Sequence, residues 1–264
     1  MKIGKATTPS SAICTSDEDT IVVRGRDLCA EVIGKLSFTE YFFLLLTGKQ
    51  PTEATLKVLD ATLVAITEHG LVPSVQAARM TYAASPEALQ GAVAAGLLGC
   101  GSVILGASAN AGEMLDEVKQ KMSSGKSLHD AAREVVSEYR AVKKPIPGYG
   151  HPLHKSRDPR VSALFNTASE AGSDLSYVEI AEEIERVIPE IVGKPLKLNV
   201  SAAIPAVLLG AGFPLQALRG VPILARSAGL VAHLYEEQQS PIGFALSYQA
   251  TREYEYTGDM PSND

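Results

Sequence analysis

Cysteine is scarce in this chain. The 264 residues include three cysteines, Cys14, Cys29 and Cys100, and no CxxC pair. An odd number at these spacings gives neither a disulfide framework nor a zinc site. Sparse cysteine is also typical of a reducing compartment. We therefore expect a cytoplasmic protein without a metal centre.

The chain also lacks an excess of positive charge and long hydrophobic runs. The formal net charge of −6 argues against a general nucleic-acid or anionic-membrane binder, although it says nothing about a local cationic pocket. The N-terminus has no apolar core of the kind that a signal peptide needs. The longest apolar run, near residues 91–109, is rich in Gly, Ala and Ser, so we expect a buried helix there and no membrane span.

Helical patterns fill most of the sequence. Apolar residues make up 45%, enough for a sizeable core. Capping boxes are predicted at Ser37–Glu40 and Ser176–Glu179, Ser127 is predicted to open a helix, and Ser85 before Pro86 is predicted to be an N-cap. One short segment, IVVRG at residues 21–25, is typical of a strand. The fold class is therefore predicted to be all-α.

The stretch IPGYGHPLHKSRDPR, residues 146–160, concentrates reactive side chains in an irregular segment. Four prolines, Pro145, Pro147, Pro152 and Pro159, forbid a regular helix across it. Its glycines allow the backbone to approach a ligand closely. A loop of this composition is usually only a turn, and the alternative is a binding site.

PGYGHPLHKSRDPR resembles the signature of the citrate synthase superfamily, in which Gly-aromatic-Gly-His is followed by Asp-Pro-Arg. Four further segments resemble family segments and occur in family order: IVVRGRDLCAEVIGKLSFTEYFFLLLTGKQPT, ITEHGLVPSVQAAR, KLNVSAAI and ARSAGLVAHLYEE. The chain is short for a citrate synthase. Its length is more similar to citryl-CoA lyase and to the C-terminal lyase module of ATP-citrate lyase, which cleave citryl-CoA to acetyl-CoA and oxaloacetate.

The resemblance implies a helical large domain, residues 1–106 plus 212–264, and a smaller inserted CoA-binding domain, residues 107–211. It also implies a homodimer or a dimer of dimers. Whether Arg252 serves the neighbouring subunit's site is left open.

The resemblance further implies a site for a di- or tricarboxylate. His151 would polarise, or donate a proton to, the oxygen derived from oxaloacetate, and Arg160, Arg226 and His69 would bind carboxylates. Arginine suits this task because its fork matches a carboxylate. Structural alternatives remain: Arg160 could cap the following helix, Arg226 could pair with a carboxylate such as Glu236, and His69 could end its helix.

Coenzyme A, as a thioester substrate, is the cofactor that the resemblance implies. The loop Pro147, Gly148, Tyr149 and Gly150 would line the adenine site, with Lys155 near the phosphates. No metal is expected.

Two family residues are replaced. Ile104 occupies the position at which citrate synthases carry a catalytic His, and the absence of this His is compatible with a lyase. The catalytic Asp of the family's "NVD" segment falls at Ser201, and serine is a poor base unless a neighbouring base helps it.

Three hypotheses follow from these replacements. The first is a citryl-CoA lyase-like enzyme with altered proton handling, in which His151 and Ser201 are the catalytic residues. The second is a related enzyme that acts on another hydroxyacyl-CoA or 2-oxo acid, and the third is a non-catalytic relative that binds CoA or a dicarboxylate. We favour a carbon–carbon lyase of CoA thioesters, because a scaffold protein does not need carboxylate-binding arginines.

Overall fold

The chain is built almost wholly of α-helices in the computed structural model, which describes residues 9–101, 106–150 and 157–261. The helices are α1 (Phe38–Thr47), α2 (Glu53–Thr67), α3 (Pro73–Ala84), α4 (Leu89–Leu98), α5 (Gly106–Ser123), α6 (Leu128–Ala141), α7 (Pro159–Glu170), α8 (Ser176–Val192), α9 (Val200–Gly210), α10 (Gly220–Gln239) and α11 (Gly243–Glu253). A π-helical turn covers Leu28–Val32 and a 3-10 turn covers Leu215–Ala217. The all-α prediction is confirmed.

A small antiparallel sheet precedes α1. Its strands are β1 (Cys14–Ser16), β2 (Ile21–Val23) and β3 (Arg26–Asp27), in the order β1-β2-β3. The register places Val23 opposite Cys14 on one side and Arg26 on the other. The sequence predicts β2 but neither of its neighbours, because those strands are too short and too polar to show a pattern.

A predicted helix start is correct where the serine hydroxyl accepts a hydrogen bond from a backbone amide of the helix. At Ser37 both bonds of the capping box form, and Ser127 Oγ accepts a bond from the third residue of α6. The prediction at Ser85 is wrong: α4 begins at Leu89, and Ser85 closes α3 while its hydroxyl bonds to a glutamate. At Ser176 the helix begins as predicted but the capping box does not form, because the serine bonds to Asp174 instead.

The described chain divides into two compact units. The first comprises Met1–Thr62 and Ala111–Ala217, and the second comprises Leu63–Asn110 and Leu218–Asp264. These boundaries are not those of the predicted large and small domains, which come from the resemblance and stay a prediction. None of the helices in the described ranges has the length and apolarity that crossing a bilayer requires.

The core of the first unit lies around α8. This helix packs against α6 and α9, and α9 also packs against α7. Val135 of α6, Ile184 of α8 and Ala203 of α9 are fully buried. The apolar faces of α6 and α8 are therefore buried in the core of this unit.

The core of the second unit is formed by α3, α4 and α10. Gly96 of α4 lies against the Leu230 side chain of α10, where even a Cβ would be too close. A buried ion pair adds to this packing: Arg79 Nε donates to Glu237 Oε2 at 2.6 Å, and the two side chains are 3% and 1% exposed. Glu237 Oε1 also accepts the Gly243 amide, at 2.7 Å, and so holds the start of α11.

The pKa of Glu237 lies below its usual range. Burial raises it, but the amides of Gly243 and Ile242 and the Arg79 guanidinium outweigh that effect. Glu237 therefore stays ionised and paired, which a buried carboxylate requires.

Candidate active site

The glycine loop, residues 147–150, is bonded to the segment that begins α9. The Asn199 amide donates to the Gly148 carbonyl at 3.0 Å, and Asn199 Nδ2 donates to the Gly150 carbonyl at 2.8 Å. Gly148 has a φ of +84°, and a Cβ there would lie 2.8 Å from the Ala202 nitrogen. Glycine alone combines this dihedral with this closeness. The loop and the N-terminus of α9 therefore form one local structure.

Tyr149 anchors the loop from the inside. Its ring is buried, its hydroxyl donates to the Ala181 carbonyl of α8 at 2.7 Å, and its backbone forms a bridge with Leu198. Burial, together with the nearby Glu185 carboxylate, raises the pKa of Tyr149 well above its usual range. The phenol therefore stays protonated and keeps its bond to α8.

Asp158 connects α7 to the same end of α9. Its carboxylate accepts bonds from Arg160 Nε at 3.0 Å and from Arg160 Nη2 at 2.8 Å, and it caps α7 by accepting the Arg160 amide. Burial raises the pKa of Asp158, but the bonds from the Arg160 side chain and amide, together with the nearby Val200 amide in the first turn of α9, outweigh this effect and lower the pKa. The carboxylate is therefore ionised, and it lies at the N-terminus of α7 and close to that of α9.

Ser201 is half-buried in the first turn of α9. Its amide donates to Asn199 Oδ1 at 2.9 Å, so Asn199 caps the helix with one side-chain atom and holds the glycine loop with the other. A helix N-terminus carries partial positive charge. The position therefore suits an anionic ligand oxygen, to which a serine hydroxyl can donate.

A cavity of about 370 Å³ lies beside the glycine loop. Its lining includes three cationic side chains, two carboxylates and an apolar rim: Arg157, Arg186, Lys197, Glu182, Glu185, Pro189, Pro195 and Leu196. Leu196 would lie 3.5 Å from a Cβ at Gly150, which ties the rim to the loop. The Arg157 side chain is 34% exposed, and its Nη2 donates to Glu182 Oε1 at 3.2 Å.

The second unit contains His69 in a turn at the end of α2. Glu68 holds this turn: its carboxylate accepts the amides of His69 and Gly70, at 2.9 and 2.8 Å, and His233 Nε2 of α10 lies 2.7 Å from it. Burial raises the pKa of Glu68, but the bonds from His233 and the two amides outweigh it, so the pKa is lowered. The His69 side chain is exposed.

Arg226 lies on the face of α10 that meets this turn. Arg226, Gly229 and His233 are spaced by three and four residues, which places them on one side of a helix. Gly229 touches the Thr67 carbonyl so closely that a Cβ would clash with it. Arg226 is half-buried and His233 bonds to Glu68. Arg226 therefore lies on the side of α10 that contacts Thr67 and Glu68, the two residues before His69.

The remaining predicted residues lie outside the described residues. These are His151 and Lys155, and Ile104 at the position of the family's other histidine is outside them too. The structure therefore places the loop, Ser201 and Arg160 in the first unit and His69 and Arg226 in the second. Across the described ranges, no group of three or more His, Cys, Asp or Glu side chains could hold a metal ion.

Sequence reasoning missed the residues that hold the site together. Asn199 bonds to the glycine loop and to α9, Asp158 bonds to the Arg160 guanidinium, and Glu68 with His233 fixes the His69 turn. Aspartate before proline and asparagine before a helix are visible as N-cap signals. Their long-range partners are not visible. The alternative partner for Arg226, Glu236, bonds to Arg79 at 2.6 Å.

Comparison with known proteins identifies the fold. The family model for the citrate synthase C-terminal domain matches residues 9–243. The solved structure of citryl-CoA lyase from Hydrogenobacter thermophilus superposes with a TM-score of 0.84 at 35% identity, over 97% of each chain. ATP citrate lyase from Methanothrix soehngenii, solved with citrate and coenzyme A, gives a TM-score of 0.73 at 22% identity over 99% of this chain and 43% of that one. At 22% identity, the similarity to ATP citrate lyase shows only that the two chains share a fold.

Curated relatives are citrate synthases. The enzyme of Synechocystis sp. is 30% identical over 209 residues, which are 77% of this chain and 50% of that protein. The enzyme of Heyndrickxia coagulans is 30% identical over 213 residues, 78% of this chain and 53% of that protein. The chain spans about half the length of these curated relatives. Because the family match extends over most of the sequence, the chain belongs to the citrate synthase family.

Proposed function

We propose that the protein is a carbon–carbon lyase of CoA thioesters that cleaves citryl-CoA to acetyl-CoA and oxaloacetate. The observation that carries this proposal is the meeting of three motif segments at the N-terminus of α9: the glycine loop, Ser201 and the Asp158–Arg160 pair. The similarity to a citryl-CoA lyase over 97% of each chain supports a lyase rather than a synthase.

The acid half of the substrate needs cationic and hydrogen-bonding groups. Arg160 supplies a guanidinium in the first unit. In the second unit His69 follows Glu68, and Arg226 lies on the side of α10 that contacts Thr67 and Glu68. Each arginine can bind a carboxylate through two parallel bonds. We assign these three residues to the carboxylates of the substrate, and His151 to its hydroxyl oxygen.

The CoA half is assigned to the cavity beside the glycine loop. Arg157, Arg186 and Lys197 line this cavity, and each would exchange its present glutamate partner, Glu182, Glu183 or Glu185, for a phosphate. Leu196 provides an apolar edge next to Gly150. Lys155 completes this assignment by the resemblance. Asn199 bonds to the loop and holds it in place. A loop that is already ordered loses little conformational entropy when a ligand binds.

Cleavage needs two proton transfers. The tertiary hydroxyl of citryl-CoA loses its proton, the carbon–carbon bond breaks, and its electron pair forms the enolate of acetyl-CoA, which then takes up a proton. We assign the first transfer to His151. Ser201 replaces the carboxylate that the family uses at the thioester carbon. Its hydroxyl, in the first turn of α9, is suited to donate a hydrogen bond to the enolate oxygen.

The serine at position 201 also favours a second candidate function. An enzyme that lacks the usual base can act on another hydroxyacyl-CoA or 2-oxo acid, or the protein can bind CoA and a dicarboxylate without catalysis. In either case the homodimer or dimer of dimers and the cytoplasmic location expected from the sequence are part of the proposal.

The test begins with binding. Thermal-shift measurements with acetyl-CoA, oxaloacetate and both together should each raise the melting temperature, because a ligand at a hundredfold its Kd stabilises by about 2.7 kcal/mol. Incubation with citryl-CoA, followed by chromatography of the products, should then yield acetyl-CoA. Binding of acetyl-CoA without cleavage favours the second candidate, and no binding at millimolar acetyl-CoA refutes both.

Arg226→Gln should weaken oxaloacetate binding by about ten- to a hundredfold while acetyl-CoA binding is unchanged, because a bond to a buried charged group is worth about 1.5–3 kcal/mol. Arg219→Gln is the matched control, since Arg219 is an exposed arginine at the start of the same helix. Equal loss of both ligands in Arg226→Gln would indicate that the arginine holds the fold.

A further inference from the structure

Asp158 is the buried carboxylate that the proposed function leaves without a role. Its side chain is 3% exposed, and it accepts two bonds from the Arg160 guanidinium, at 3.0 and 2.8 Å. Those bonds use Nε and Nη2, the side edge of the planar fork. The hydrogens on Nη1 and the second hydrogen on Nη2 form the other edge, which points away from Asp158 because the group is rigid and planar.

We propose that Asp158 is a positioning residue, which holds Arg160 side-on so that the end of its fork faces the carboxylate of the substrate. The same carboxylate accepts the backbone amide of Arg160 at 3.0 Å, which fixes it at the N-terminus of α7. Asp158 therefore sets the direction of the Arg160 fork relative to the start of that helix. Arg160 side-chain exposure of 24% leaves part of the group accessible to a ligand.

This role differs from simple helix capping. Asn and Asp are comparable N-caps, so Asp158→Asn keeps the oxygen that accepts the Arg160 amide. The substitution places an NH₂ group where Oδ2 accepts from Nη2, and two donors then oppose each other. Asp158→Asn thus keeps the cap and the bond from Nε to Oδ1, and it removes the charge and the bond from Nη2 that completes the side-on arrangement.

The proposal rests on the proposed function only in that the ligand is a carboxylic acid. Oxaloacetate and acetyl-CoA are titrated calorimetrically against four proteins: wild type, Asp158→Asn, Arg160→Gln and the double variant. Asp158→Asn should weaken oxaloacetate binding by about tenfold or more and change acetyl-CoA binding by less than about twofold. In the Arg160→Gln background, the additional Asp158→Asn change should have no effect on oxaloacetate, because residues that act through one another are not additive.

If Asp158→Asn binds oxaloacetate with wild-type affinity, the proposal is overturned. Additive effects in the double variant also overturn it, because Asp158 would then act only as a helix cap. If Asp158→Asn does not fold, Arg160→Lys decides. Lysine keeps the charge but has no planar fork to share between Asp158 and a ligand. Loss of oxaloacetate binding in Arg160→Lys supports the proposal, and wild-type affinity overturns it.

The outcomes also separate this proposal from the proposed function. Non-additive loss of oxaloacetate binding without any cleavage of citryl-CoA supports the role of Asp158 and refutes the lyase. If citryl-CoA is cleaved and Asp158→Asn binds oxaloacetate unchanged, the lyase is supported and the role of Asp158 is refuted. A wild-type protein that binds no oxaloacetate overturns both the role of Asp158 and the acid half of the proposed function.

Discussion

Gly148→Ala should disrupt the site more than adding a methyl group at any other position of the glycine loop. The residue has a φ of +84°, in the left-handed region, and a Cβ would lie 2.8 Å from the nitrogen and 2.9 Å from the Cα of Ala202. Both neighbours are backbone atoms of α9, so they cannot rotate away. The loop or the helix must therefore move.

The magnitude has two parts. The left-handed conformation costs about 1–2 kcal/mol for a residue with a Cβ. Forcing an extra methyl group into a packed site costs a further ~1–3 kcal/mol. Gly172→Ala is the matched control, because Gly172 has a φ of +71° and no atom within 4 Å of a Cβ. It isolates the first part.

Urea unfolding of the two variants gives the packing part as the difference between them, about 1–3 kcal/mol. Acetyl-CoA titration provides the functional readout. Gly148→Ala should bind acetyl-CoA weakly and Gly172→Ala should bind it as the wild type does. Equal unfolding free energies and equal binding in the two variants would refute the view that the loop is held against α9 by close contact.

Three further predictions concern the site and its supports. Ser201→Asp should restore part of the about 10²–10⁴-fold that a general base contributes, measured as proton exchange from acetyl-CoA; no gain would show that another group handles this proton. Arg79→Ala should lower the free energy of unfolding by about 3–5 kcal/mol in urea, because it leaves Glu237 buried without its cation; a loss below about 1 kcal/mol would contradict this. His233→Gln should retain oxaloacetate affinity, whereas His233→Leu should loosen the Glu68 turn and weaken it several-fold; equal affinities would show that His233 only packs α10.

Acid should destabilise the second unit through Glu237. The pKa of this carboxylate is lowered in the folded protein. Its contribution to stability is therefore fully present above its unfolded pKa, about 4.3, and is lost as the pH falls through the lower folded value. In Glu237→Gln, unfolding free energies measured between about pH 6 and 3 should show a shallower decline than in the wild type. An identical decline would indicate that other carboxylates control acid unfolding.

Local signals predicted the fold well where a residue and its partner are close in sequence. The capping box at Ser37 formed because its two members are three residues apart and face each other in any helix. The same reasoning failed at Ser85 and at Ser176, where carboxylates two residues away took the hydroxyls. Competing local hydrogen bonds of this kind cannot be ranked from the sequence.

The residue types of the candidate site come from the sequence and stay a prediction, whereas the bonds that support the site could not be read from the sequence. The glycine loop and Ser201 stand out through the resemblance, but the bond from Asn199 to Gly150 joins residues 49 positions apart. Asp158 and Val200, whose amide helps to lower the pKa of that carboxylate, are 42 positions apart. Such contacts depend on how α7, α8 and α9 pack, which periodicity alone does not give.

The arrangement at α9 explains how a carboxylate could be replaced without loss of the site. The loop is held by Asn199 and by backbone atoms of residues 197–202, and Arg160 is held by Asp158. None of these bonds uses the Ser201 side chain, whose position is fixed through its amide. A change of side chain at position 201 therefore alters the chemistry offered to a ligand and leaves the supporting bonds in place. At a helix N-terminus, an aspartate would offer a base, whereas the serine offers a donor to negative charge. Under the proposed function, the base for the reaction would therefore come from another group or from the substrate, which is what the Ser201→Asp experiment tests.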